Sequence, residues 1–282
     1  MTDAEFAAYL GREATSRDVL HPGPVQRLAA ALDRDDPEPR EGDPLPPAWH
    51  WLYFLAAPRA STVTADGRGA AGDVLPPFAG LSRMWAGGSF AWKRPLRLGQ
   101  TVTRTSRVAS IQPKQGRMGK LVFTTVEHTI ADASGTALVE EARIVFREQR
   151  PHGESAANPP EPAPARAQWR RDLVPDPVLL FRFSALTYNG HRIHYDWRYT
   201  TQTEGYPGLL VHGPLTAILL LDLVRREAPG RLLARVDYRA TAPLFEGEPM
   251  AVCGAPDGPG GAKLWAENKA GRIAMLAEAT FA

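Results

Sequence analysis

Hydrophobic and polar positions alternate with period two over Ser89–Arg94, Thr101–Ile111, Leu121–Ile130 and Ala137–Arg147, which predicts strands separated by turn residues such as Gly99 and Gly116. The third is the clearest: Val122, Thr124, Val126 and His128 share one side, and Phe123, Thr125, Glu127 and Thr129 the other. The run Phe181–Thr187 also alternates and reads as a strand. Residues 1–40 read as helical pieces, with Pro24–Leu32 opened by a proline and stopped at Asp35-Asp36-Pro37. Pro44-Leu45-Pro46-Pro47 introduces a short apolar helix over Ala48–Leu55. Another helix starts with Gly213 at the cap and Pro214 at the first helical position, and runs to Leu223. It is apolar nearly all round, so it is predicted to be buried. Residues 56–80 read as an inserted loop, and the Pro- and Ala-rich residues 151–168 as a linker.

The end of the chain echoes its middle. Pro95-Leu96-Arg97-Leu98-Gly99 matches Pro243-Leu244-Phe245-Glu246-Gly247, and Gly135 stands before Glu141-Ala142 as Gly271 stands before Glu278-Ala279. A diverged duplication accounts for this, with residues 1–150 and 169–282 as two halves. Each half is expected to be a sheet wrapped on a helix, the two sheets joined edge to edge, which removes exposed edges.

Only the second half carries a dense polar knot, Tyr188-Asn189-Gly190-His191-Arg192-Ile193-His194-Tyr195-Asp196, followed by His212-Gly213 at the helix start. The free N–H groups of a buried helix start favour negative charge. Imidazoles and an amide gathered one loop before it are the material of a catalytic cleft. The first half, with Trp49-His50-Trp51 at its helix, is expected to be a non-catalytic wall of the substrate pocket.

The knot resembles the hydratase-2 and MaoC-like branch of the hotdog superfamily, whose motif reads Asp-x-Asn-Pro-Leu-His with a later His-Gly at the central helix. Asn189 to His194, then His212-Gly213, stand in those places, and the resemblance covers nearly the whole chain. It is similar to the subgroup of mesaconyl-C4-CoA hydratases, itaconyl-CoA hydratases and mitochondrial-type 3-hydroxyacyl-thioester dehydratases. The resemblance implies an α+β double hotdog that adds water reversibly across the double bond of an enoyl thioester, with a short branched dicarboxylic acyl-CoA as the expected substrate. One departure is plain: Asn189 occupies the position of the family's catalytic aspartate.

Three groups are expected to carry the reaction. His194 is the candidate base, because a neutral imidazole accepts a proton near neutral pH. The Gly213 N–H would stabilise charge on the thioester oxygen. Asn189 cannot be a base; it can hold the water or donate to a ligand. Substrate contacts are expected from Tyr188, His191, Arg192, Tyr195, Tyr206, His212, Trp49 and Trp51. Arg192 reads as readily as a salt-bridge partner, and His212 as a backbone ligand. His191 and His194 lack a carboxylate–His set of metal-binding spacing, so no metal is expected, and CoA enters as part of the substrate rather than as a cofactor. A hotdog thioesterase and a non-catalytic acyl-thioester binder are the competing readings.

Composition narrows this further. With 282 residues, a net charge of +2 and no basic run interleaved with aromatics, the chain does not read as a nucleic-acid binder. The single Cys253 permits no internal disulfide and fits a reducing compartment. No apolar run reaches the roughly 20 residues of a membrane span, and the N-terminus has no basic and apolar leader. A cytoplasmic protein acting on an acyl-CoA or acyl-carrier thioester is the resulting expectation, with a homodimer left open.

Overall fold

A computed structural model describes residues 6–69, 74–76, 78, 81–116, 119–148 and 161–282. The antiparallel strands are β1 (Glu13–Val19), β2 (Leu81–Trp92), β3 (Thr101–Gly116), β4 (Gly119–Asp132), β5 (Gly135–Glu148), β6 (Trp169–Leu173), β7 (Leu233–Ala240), β8 (Met250–Pro256), β9 (Gly261–Asn268) and β10 (Ile273–Phe281). They form one ten-stranded sheet in the order β1-β3-β4-β5-β2-β7-β10-β9-β8-β6. The order from the centre outward is the same on both sides, so β1–β5 repeat as β6–β10. At the centre β2 pairs with β7 from Gly87↔Arg239 to Ala91↔Arg235. Gly87 and Gly88 are needed there: a Cβ would lie 2.3 Å from the Tyr238 carbonyl oxygen at one and 2.1 Å from the Glu141 carbonyl oxygen at the other.

Among the described residues the α-helices are α1 (Pro22–Ala31), α2 (Pro177–Thr187) and α3 (Gly213–Glu227), of which α3 packs on the strands and α1 and α2 on each other. None of the described helices is long and apolar enough to cross a membrane. In α3 every residue from Leu215 to Val224 is buried, as its all-round apolarity predicts. His212, not Gly213, is its N-cap, so Gly213 and Pro214 form the first helical positions.

Two sequence expectations fail here. Phe181–Thr187 is the end of α2, not a strand. Asp176 caps that helix, its carboxylate accepting from the Leu179 N–H at 2.7 Å, and Pro177 starts it. The buried positions Leu180, Phe183 and Ser184 have helical spacing, which outweighs the apparent alternation. Within residues 1–40, β1 is an edge strand. Its polar sequence hides it, and it is held by its ladder to β3 from Glu13↔Arg107 to Val19↔Thr101.

The halves differ in their central helix. Where the second has the 15-residue α3, the first has only the 3-10 turn Trp49–Leu52, shorter than the helix expected over Ala48–Leu55. Matching backbone contacts give the correspondence between them. Pro44 bridges Arg97 as Leu210 bridges Phe245. The Leu45 N–H reaches the Leu96 carbonyl at 2.7 Å as the Val211 N–H reaches the Leu244 carbonyl at 2.9 Å. Counting on from these, Pro46 and Pro47 occupy the places of His212 and Gly213.

The far end of α3 is pinned electrostatically. Asp222 is 1 % exposed and accepts from Arg34 at 2.5 Å and Arg226 at 2.8 Å, with Arg171 at 3.4 Å and Arg225 at 3.6 Å. Arg171 and Arg226 also donate to the Leu32 carbonyl, which ties the end of α1 to α3.

Of the expected 151–168 linker, residues 151–160 lie outside the described residues.

Candidate active site

The knot follows α2 because Tyr188 takes a left-handed C-cap conformation, φ 51°, and turns the chain. The next turn is closed by Asn189. Its backbone N–H donates to the Ser184 carbonyl at 2.8 Å, and its side-chain carbonyl accepts from the His191 N–H at 3.0 Å. The side-chain NH2 of Asn189 keeps no partner among the described residues. A 3-10 turn, Arg192–His194, then delivers His194 into the interior.

Two bonds clamp His194 to the strand-like segment before α3. The Leu210 N–H donates to the Ile193 carbonyl at 3.0 Å, and His194 Nδ1 lies 2.8 Å from the Leu210 carbonyl oxygen. A carbonyl only accepts, so Nδ1 carries the proton and Nε2 keeps its lone pair. The His194 ring stacks on His212, 3.7 Å between centroids and 18° from parallel, and His191 stands edge-on to it at 5.6 Å. His212 Nε2 bonds Ser184 Oγ at 2.8 Å, while its Nδ1 is buried without a partner. Among the described residues no acceptor binds the Gly213 N–H, which follows directly on His212.

All three imidazoles are held neutral. Burial lowers the His194 pKa to about 4 against the Leu210 bond, with the Arg68 charge adding to the fall. Burial, then Arg68, His194 and Arg83, lower His191. Burial, then the other two rings, push His212 far below the usual imidazole range.

The first half closes the site from above. Trp85 of β2 lies directly on Gly213: a Cβ there would stand 2.5 Å from Cε3 of the indole. Trp85 stacks on Tyr238 at 5.2 Å and meets the Trp51 ring edge-on at 6.2 Å. Trp51 is positioned by Glu140, which accepts its indole N–H and bonds His50 Nε2, both at 2.9 Å. Burial alone would raise the Glu140 pKa, but the His50 and Trp51 bonds and nearby charge hold it at about 2. The loop after Val63 docks on the knot, the Arg192 N–H donating to the Asp66 carbonyl at 2.8 Å and its guanidinium to the Ala65 carbonyl at 3.0 Å.

The expected site residues thus divide. His191, His194, His212 and Gly213 come together with Asn189 beside them, and Trp51 reaches them through Trp85. Trp49, expected at the pocket, is enclosed instead: it is 1 % exposed, with the Arg225 guanidinium 5.3 Å from its ring. Arg192 is taken up by Asp196 at 2.8 Å. Tyr195 is exposed and donates to the Gly190 carbonyl at 3.0 Å, Tyr188 is exposed at the cap, and Tyr206 packs 6.3 Å from Phe245. Sequence reasoning missed Ser184, Glu140, Arg68 and Trp85. The first was hidden by the wrong strand assignment, and the others come from the half without the motif.

Residues 48–246 match the family model described as hydroxyacyl-thioester dehydratase type 2. The chain belongs to this family. It is 40% identical over 258 residues to mesaconyl-C(4)-CoA hydratase of Chloroflexus aurantiacus, covering 92% of this chain and 91% of that one. It is 26% identical over 281 residues to the mitochondrial hydroxyacyl-thioester dehydratase type 2 of Schizosaccharomyces pombe, covering 89% and 92%. A crystal structure of a MaoC-like dehydratase from Phytophthora capsici superposes with a TM-score of 0.69 at 15% identity, covering 100% of this chain and 99% of that one. The fold is the MaoC-like double hotdog, and the protein is a hydro-lyase acting on acyl thioesters.

Proposed function

We propose that this chain reversibly hydrates a short branched dicarboxylic enoyl-CoA of the mesaconyl-C4-CoA or itaconyl-CoA type. The observation carrying the mechanism is the His194–Leu210 bond. It leaves Nε2 a free acceptor on a neutral ring, one ring-stack from the residue before the open Gly213 amide.

In the hydration direction, Nε2 of His194 takes a proton from water and the hydroxyl oxygen bonds the β-carbon. The double-bond electrons move towards the thioester carbonyl, whose oxygen gathers charge and is held by the Gly213 N–H at the helix start. Collapse of that enolate takes a proton at the α-carbon, returned by His194. One imidazole serves both transfers because Asn189 cannot titrate. With its side-chain carbonyl occupied by His191, Asn189 has only its NH2 to offer the water or the acyl group.

The first half acts as the wall in this reading. Pro47 stands where Gly213 stands in the second half and has no N–H to donate, which supports a single reaction centre per chain.

The test is loss of the conjugated thioester absorbance on incubation with mesaconyl-C4-CoA, itaconyl-CoA and crotonyl-CoA. No loss with any of the three removes the assignment, and release of free CoA thiol without hydration replaces it with thioester cleavage.

A further inference from the structure

Around the knot, Arg182 and Arg198 are exposed to solvent, and the less exposed arginines among the described residues have carboxylate partners except for Arg83. Arg192 is held by Asp196 at 2.8 Å, and Arg68 by Asp66. The half-buried Arg83 of β2 has none. Its backbone carbonyl accepts from Arg68 Nη1 at 3.1 Å, but its own guanidinium makes no ion pair or hydrogen bond to the described residues. A half-buried guanidinium favours an anion, and five donors in a planar fork suit a carboxylate or a phosphate, of which only the first belongs to the acyl end of the substrate.

Its place on the strand says which carboxylate. Alternate residues of a strand share a face, and the intervening Met84 is 40% exposed, so Arg83 and Trp85 both face inward. Trp85 covers Gly213, where the thioester oxygen is to be bound. Positions two apart on a strand lie about 7 Å from each other. From the thioester carbon of a four-carbon dicarboxylic acyl group to its far carboxyl carbon is about 4 Å, and a hydrogen bond adds about 3 Å. Arg68 is bonded to Asp66 and the three imidazoles are neutral, so Arg83 is the guanidinium here with no carboxylate bonded to it among the described residues. The Arg68 guanidinium bonds the Arg83 backbone carbonyl at 3.1 Å, which puts this part of β2 beside the loop that docks on the knot.

We infer that Arg83 is the specificity-determining residue of this site, binding the free carboxylate at the end of the acyl group remote from the thioester. The inference rests on the hydratase reading and adds to it the reason a dicarboxylic acyl group would be selected over a monocarboxylic one. Arg83 takes no part in proton transfer. It makes a charge-assisted contact that an acyl chain ending in methyl lacks.

The experiment compares kcat/KM for mesaconyl-C4-CoA and crotonyl-CoA in the wild type, R83Q and R83K. The ratio of the two constants is expected to fall by about 100-fold in R83Q and by about 10-fold in R83K, which keeps the charge but not the fork. The fall should lie mainly in the dicarboxylic substrate. A parallel fall for both substrates, or an unchanged ratio, overturns the inference and leaves the hydratase reading standing. A wild type that hydrates crotonyl-CoA and not the dicarboxylic thioester overturns the inference and the dicarboxylic part of the proposed function, leaving only enoyl-CoA hydration. A wild type that hydrates neither removes both. If R83Q does not fold, R83K decides by the same ratio.

Discussion

His194 and His212 lie ring on ring, 3.7 Å apart, and only His194 has its outer nitrogen left for chemistry. His212 gives its Nε2 to Ser184 and seals its Nδ1 inside the protein. In the proposed mechanism the stack joins a working ring to a supporting one, and His194 disfavours a proton on His212.

The pH dependence follows from the burial of the His194 ring. With its pKa near 4, His194 stays an acceptor through the whole neutral range, so kcat/KM should hold level down to about pH 5 and fall as pH drops through about 4. The folded-state pKa lies below the unfolded value of 6.5, so unfolding takes up a proton. The contribution to stability is complete above about pH 6.5 and declines as pH falls towards 4. A pH–rate profile and denaturant midpoints at neutral and mildly acid pH check the two halves of this expectation separately.

Replacing His194 by Gln keeps a polar side chain but removes the proton acceptor. Turnover of enoyl-CoA should fall by about 10²- to 10⁴-fold with the thermal midpoint little changed. Full turnover in H194Q would eliminate the proposed shuttle.

Gly213→Ala drives a methyl into the Trp85 indole, at 2.5 Å from Cε3. Overpacking of this kind costs about 1–3 kcal/mol, and it disturbs the helix start that is to bind the thioester oxygen. Both stability and kcat should drop. Adding Trp85→Leu should recover much of the stability, and a double-mutant cycle by denaturant titration measures the coupling.

Asp222→Ala leaves Arg34, Arg171, Arg225 and Arg226 crowded without their shared anion. The loss should be about 3–5 kcal/mol, read as a shifted denaturation midpoint. Since Asp222 sits at the opposite end of α3 from Gly213, kcat of the folded fraction should change little.

Much of the half that carries the knot was legible from sequence because its signals are local. The Gly-Pro start of α3, the apolar run behind it and the imidazoles of the knot stand close together in the chain. The strands β3 to β5 were legible too, since period-two burial leaves a direct trace, whereas the expected Ser89–Arg94 caught only the end of β2, which starts at Leu81. What escaped was set by distance or by competition. Phe181–Thr187 alternates and yet is helical, because Asp176 and Pro177 start a helix several residues upstream. β1 carries charge where a strand is usually recognised by β-branched apolar residues, and pairing with β3 makes it a strand. Trp85 and Glu140 have no motif around them, and only the central pairing of β2 with β7 brings their half over Gly213. Trp49 and Trp51 looked alike in sequence. A short 3-10 turn sends one into the core beside Arg225 and the other to Trp85.

The placement of Trp85 on Gly213 also limits how this chain could be divided. The residue that shelters the helix start is encoded more than a hundred positions before it, on a strand that belongs to the other repeat. Expressed alone, the fragment holding the histidines would lack Trp85 and present its open amide to bulk water, so the site as built draws on both repeats of the sheet.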